Sequence, residues 1–105
     1  MYAFAVRVIA RSKLVAFWTT HPETEDSLRH WHEVAVSAAW QSLLEVRQDF
    51  SKAKSLNGER VRFEVAGGDY RLIAAFDWAR QIVFIKFIGS HAEYDKIDAL
   101  TVSVF

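Results

Sequence analysis

The chain has 105 residues, of which 51% are apolar and 25% charged, the ordinary range for one globular domain covering residues 1–105. It contains no cysteine, which excludes disulfide frameworks and thiolate metal sites. Its 13 basic residues are balanced by 13 acidic ones, which argues against a generic nucleic-acid binder, although a neutral chain can still carry one basic face.

In "MYAFAVRVIARSK" the apolar run is broken by Arg7, and no small-residue cleavage site follows a basic start. No segment approaches the roughly 20 apolar residues of a membrane span. A soluble, cytoplasmic protein is the expectation.

"FAVRVI" is rich in β-branched residues and predicts a first strand from Phe4 to Ile9. Ser12 is placed to cap a short helix whose Leu14, Phe17 and Trp18 share a face. His21-Pro22 ends it, and Pro22 suits the opening position of the next helix. There Glu23, Glu25 and Asp26 complement the positive end of the dipole, and Leu28, Trp31, Ala35 and Ala38 form the apolar stripe. Ser42-Leu-Leu-Glu45 has the capping-box pattern and restarts helix, with Leu43, Val46 and Phe50 inward. "SKAKSLNGE" reads as a loop.

From Arg60 the period becomes two. Val61, Phe63 and Val65 alternate with Arg60, Arg62 and Glu64. Gly67-Gly68 supplies a tight turn. Leu72, Ala74 and Phe76 then alternate with Arg71, Ile73 and Ala75. After a second turn at "DWARQ", "IVFIKFI" is apolar on both faces apart from Lys86, as in a strand covered on both sides. The order predicts an α+β domain, with the N-terminal helices packed on one face of a small, mostly antiparallel sheet. "TVSVF" fits either an edge strand or a tail.

Proton-handling groups crowd where the last strand ends. Ser90-His-Ala-Glu93 is another capping box and predicts about two turns of helix, with His91 first and Tyr94 three residues on. With the apolar residues of the meander facing the helices, the other face presents Arg60, Arg62 and Arg71, and Lys86 can join them. Such cations with a histidine at the rim suit a phosphodiester. The cations stabilise charge on phosphate oxygens, and His91 or Tyr94 moves a proton. RNA brings its own nucleophile in the 2′-hydroxyl, so no metal or other cofactor is expected. His30 and His32, two apart on a helix, diverge by about 200°. Simpler readings stay open here. A histidine after a serine cap is often a surface residue, and arginines alternating along a strand often mark its solvated face. Trp18, Trp31 and Trp40 read as core, while Trp78, in a turn, is undecided.

"RVIARSKLVAFWTTHPETEDSLRHW" followed by "RVRFEVAGGDYRLIAAFDWARQIVFIKFIGSHAEYDKID" resembles the HigB-type toxins of bacterial toxin–antitoxin modules, within the RelE-like superfamily. The resemblance runs from about Arg7 to Asp98, so Met1 to Val6 precede the usual family start. Its most specific parts are "YRL" (Tyr70 to Leu72) and "FIGSHAEYDKID" (Phe87 to Asp98). It implies two or three helices on one face of a small antiparallel sheet. It also implies a metal-independent endoribonuclease acting on mRNA at the ribosome, neutralised by a helix-turn-helix, HigA-like antitoxin. Such cleavage leaves a 2′,3′-cyclic or 3′-phosphate and a 5′-hydroxyl. Carried over by position, His91 matches a catalytic general acid or base, and Arg71 a strand arginine that stabilises the transition-state phosphate. Lys86 stands where the family often has a phosphate-contacting arginine. Arg60 and Arg62 become substrate-binding cations, and Tyr94 orients or stacks on a base, or packs. Neutral charge departs from many basic relatives and keeps a second expectation in view, a degenerate toxin that only binds an antitoxin. A third is a nuclease independent of the ribosome.

Overall fold

A computed structural model of the chain describes residues 6–105. Its elements in chain order are β1 (Arg7–Ile9), α1 (Arg11–Thr20), a 3₁₀ turn (Pro22–Thr24), α2 (Glu25–Ser37), α3 (Leu43–Asp49), β2 (Lys54–Ser55), β3 (Arg60–Val65), a 3₁₀ turn (Ala66–Gly68), β4 (Tyr70–Asp77), β5 (Ile82–Ser90) and α4 (His91–Tyr94). The strands form one sheet in the order β1-β5-β4-β3-β2. Every pairing is antiparallel except β1 with β5. This is the α+β fold with a mostly antiparallel sheet that the change of period predicts.

The core lies between the helices and one face of the sheet. Leu14, Trp18, Leu28, Trp31, Ala35 and Val46 come from the helical side; Val61, Phe63, Val65, Leu72, Ala74 and Phe76 meet them from the meander, with Val83 and Ile85 of β5. The aromatic members interlock edge to face. Phe63 lies 5.4 Å from Trp31 and 5.6 Å from Phe50 between ring centroids, a preferred arrangement for quadrupolar rings. Trp78 stacks on Phe76 at 4.6 Å, and its indole N–H donates to the Gly58 carbonyl at 3.0 Å, so this tryptophan fastens a turn.

Several local expectations give way to longer-range contacts. The first strand is observed from Arg7, and Phe4 and Ala5 lie outside the described residues. Helix α1 starts one residue before Ser12, with Ala10 as N-cap and no side-chain cap. Ser42 does stand at the N-cap of α3, yet its hydroxyl caps nothing; Glu45 reaches back to the Gln41 N–H instead, at 3.3 Å. Within the predicted loop, Lys54 and Ser55 pair with Arg62 and Val61 as a short edge strand. After Ser90 the helix lasts one turn instead of two.

Two irregularities shape the other face of the sheet. At the β3–β4 hairpin Ala66, Gly67 and Gly68 all take positive φ (52°, 69° and 95°), and Ser27 of α2 accepts from the Ala66 N–H at 3.1 Å, tying the turn to the helical layer. In the β4–β5 ladder Ile73 pairs with Phe87 but Ala74 pairs with Ile85, leaving Lys86 unmatched. Such a bulge frees the extra residue's backbone groups from the ladder.

Truncating Phe63 to Ala is expected to cost about 3–5 kcal/mol, because neighbouring rings cannot collapse into the space. At Gly89 an added Cβ would meet Phe87 Cζ at 2.6 Å, so Gly89→Ala is expected to cost about 1–3 kcal/mol by overpacking. Urea unfolding of both variants checks these values.

Candidate functional site

The site grows out of the pairing between the start of β4 and the end of β5. Tyr70 pairs with Ser90 and Arg71 with Gly89, and the His91 N–H donates to the Asp69 carbonyl at 2.9 Å, extending the ladder by one bond. The backbones of a histidine and an arginine far apart in sequence thus come to the same end of two adjacent strands. The local geometry of His91 is set by the box that its sequence predicts. Ser90 Oγ accepts from Glu93 N at 3.1 Å, and Glu93 Oε1 accepts from Ser90 N at 2.8 Å. The bond from the Ser90 N–H, with a further contribution from the Ser90 side chain, holds the Glu93 carboxyl below the usual glutamate range.

His91 is half-exposed, and its Nδ1 lies 3.1 Å from Asp95 Oδ2. A carboxylate only accepts, so in the neutral imidazole this contact assigns the proton to Nδ1 and leaves the Nε2 lone pair free. Asp95 is the member of the site that the sequence reading missed. Its signal was the i, i+4 spacing from His91.

Arg71 is buried, at 9% exposure. Its Nη1 donates to the Gly68 carbonyl, while its Nε has no partner among the described residues. The positive φ of Gly68 belongs to the turn that offers this carbonyl, and a Cβ there would meet Glu64 Oε1 at 3.0 Å and Arg71 Nη1 at 3.4 Å. Glu64 pairs across the strands with Arg71 and also forms an ion pair with Arg62 at 3.6 Å. The buried Nε of Arg62 likewise lacks a protein partner. Beside the hairpin a cleft of about 290 Å³ opens, lined in part by Lys52, Phe63, Glu64 and Gly68.

The remaining predicted residues lie further along the same face. Arg60 pairs with Ala75, well down β4 from Arg71. Lys86 sits three residues before Gly89, roughly 10 Å away at the rise of a strand, and its Nζ lies 5.6 Å from the Phe84 ring. Tyr94 is half-buried, with its ring 6.3 Å from Phe87, so it packs. The face therefore differs from an open row of cations. Ile73 and Phe87 are buried in its middle, outside the helix-side core, and Arg60, Arg62, Arg71 and Lys86 each engage a group of the protein itself. Among the described residues no group of three acidic or histidine side chains is disposed to hold a metal ion, and no helix is long and apolar enough to cross a membrane.

On the helical side of the same end lies a cluster that sequence reading did not reach. The Tyr70 hydroxyl donates to Glu23. The His21 ring stacks on Phe17 at 4.2 Å and meets Tyr70 edge-on at 5.7 Å. The Tyr70 bond holds the Glu23 carboxyl below its usual range and the Tyr70 hydroxyl above its own. This contact clamps the Pro22 turn to the sheet.

A layer of helices on one face of a bulged, mostly antiparallel sheet, with a one-turn helix at its end, defines a small α+β protein. A sequence profile of the HigB toxin, described as the RelE-like toxic component of a toxin–antitoxin system, matches residues 24–97. This is most of the chain, and the chain belongs to that family. A toxin of such a system has an antitoxin as its partner. A search of curated proteins returned no match.

Ser90→Ala is expected to lower stability by about 1 kcal/mol, as loss of a cap does. The Glu23–Tyr70 contribution should exist only above the ordinary carboxylate pKa, and it should vanish as pH falls through the lowered folded value. The stability difference between the protein and Tyr70→Phe, read from urea midpoints, should therefore be full at about pH 7 and shrink as the pH is lowered below the ordinary glutamate range.

Proposed function

We propose that this toxin is a metal-independent endoribonuclease that cleaves mRNA, on the ribosome, in the cytoplasm, and that a HigA-like helix-turn-helix antitoxin neutralises it. The observation that carries this reading is the ladder joining Asp69, Tyr70 and Arg71 to Gly89, Ser90 and His91. Its support is that this ladder joins the strand ends carrying an imidazole in contact with a carboxylate and a guanidinium with an unpaired donor among the described residues. An oriented imidazole with a free Nε2 is the usual form of a general base, and a guanidinium suits the charge that grows on phosphate oxygens.

In the reaction so assigned, the RNA 2′-oxygen bonds to the adjacent phosphorus as the P–O5′ bond breaks. The 2′-proton passes to His91 Nε2, the O5′ leaving group takes up a proton from water, and the hydroxide so formed takes the proton back from His91. The products are a 2′,3′-cyclic phosphate and a 5′-hydroxyl. Asp95 keeps Nδ1 protonated throughout and stabilises the imidazolium. Arg71 stabilises the phosphorane-like charge, with Lys86, Arg60 and Arg62 contacting flanking phosphates. Tyr94 supports Phe87 and borders the base.

A second reading has its own observation. Each of these cations engages a group of the same chain, as expected of a degenerate toxin that binds its antitoxin without cutting RNA.

His91→Ala and Arg71→Ala are each expected to lower mRNA cleavage on translating ribosomes by about 10²–10⁴-fold, while Asp95→Asn has a smaller effect. Sequencing RNA ends after brief induction gives the measurement, together with growth arrest and its rescue by the antitoxin. Wild-type-like cutting by both His91→Ala and Arg71→Ala would refute the site. Tight antitoxin binding without any cleavage by the native protein would favour the second reading.

A further inference from the structure

We infer that the last residues, 98–105, form a strap that holds the cationic face shut and must lift before RNA can lie along it; this rests on the reading of that face as the RNA site. Asp98 starts a tight turn in which its carbonyl accepts from Thr101 N and Val102 N, at 3.2 and 2.9 Å. The turn's outgoing carbonyls, those of Ala99 and Val102, both take Arg60 Nη1, at 3.1 and 2.7 Å. Two residues on, Val104 N donates to the Lys86 carbonyl at 3.0 Å, the group freed from the ladder by the bulge. The chain then passes the sheet edge, where the Lys13 Nζ stands 5.2 Å from the Phe105 ring.

These fastenings fall on β3, β5 and α1 in turn, so the strap crosses the sheet over β4. It ties down Arg60 directly and lies along the backbone of Lys86, two of the cations assigned to phosphate.

The strap is held lightly. Leu100, Val104 and Phe105 are 51%, 56% and 42% exposed, so little apolar surface resists opening, and segments with few buried contacts open at low free-energy cost. Arg60 spends its donor on neutral carbonyls, whereas a phosphate oxygen would accept a charge-assisted and stronger bond. A nucleotide backbone is therefore the ligand able to displace the strap.

Val104→Pro removes the one amide that bonds to Lys86 without shortening the chain, and Phe105→Ala removes the outer contact. The full-length protein, each variant, the double variant, and Val104→Pro combined with Arg60→Ala are compared in two assays. One is the rate of phenylglyoxal modification of Arg60, read by mass spectrometry. The other is anisotropy of a labelled single-stranded RNA whose 2′-hydroxyls are methylated against cleavage. Arg60 labelling and RNA affinity are both expected to rise about fivefold in Val104→Pro, as loss of one hydrogen bond shifts the closed population. Arg60→Ala should cancel the gain in affinity. Equal Arg60 labelling in the native protein and the double variant overturns the strap, whatever the RNA result. Faster labelling with unchanged RNA affinity overturns the strap's inhibitory role, while the ribonuclease reading is decided separately by cleavage on translating ribosomes.

Discussion

The register between β4 and β5 is the constraint on which the rest depends. Side chains alternate faces along a strand, so a one-residue slip sends every one of them to the opposite side. In this ladder the slip occurs once, at Lys86. On one side of it Leu72 faces Ile88; on the other Ala74 faces Ile85 and Phe76 faces Val83. Both stretches keep their apolar residues toward the helices because the bulge absorbs the mismatch. Without it, either the core or the pairing of Arg71 with Gly89 would be lost. Core packing thus fixes which positions of β4 and β5 stand opposite at the strand ends, and the same extra residue supplies the loose carbonyl on which the strap rests.

The end of the sheet works as two half-sites back to back. On one face the Arg71 guanidinium is held by the Gly68 turn, and His91 with Asp95 follows at the end of the adjoining strand. On the other, Tyr70, Glu23 and His21 clamp the Pro22 turn to the same strand end. Tyr70 and Arg71 are adjacent in sequence and point in opposite directions, so one dipeptide serves both. The "YRL" segment accordingly couples the position of the helical layer to that of the guanidinium.

The parts of this structure that were legible in the sequence are those whose cause is local. Ser90 and Glu93 bond to each other across three residues, and their box forms as read. Strands β3 and β4 are declared by alternation and β5 by its continuous apolar run, and the residues of β3 and β4 assigned to the helical face are the ones found there. Ser12 and Ser42 show the limit. Each has the cap residue type, but the strand exit at Ala10 and the reach of Glu45 to Gln41 decide the outcome. The engagement of Arg60 was beyond local reasoning, because its partners lie some forty residues away and are backbone carbonyls, which carry no residue signature. The bulge was equally hidden, since it is a property of two strands together. Asp95 was readable from spacing alone, but only once the direction of the His91 ring was known.

Strand β1 has a consequence of another kind. It is the first described strand, yet it pairs in parallel with β5, Arg7 opposite Ile82, while β3, β4 and β5 join through short turns. Local pairings close quickly, and those spanning most of the chain close late. As the polypeptide leaves the ribosome, its beginning must wait for nearly all that follows before that edge of the sheet can be sealed. During synthesis the unsealed edge exposes the backbone of β5 on the side away from β4, a bare rim to which any other extended chain could add itself.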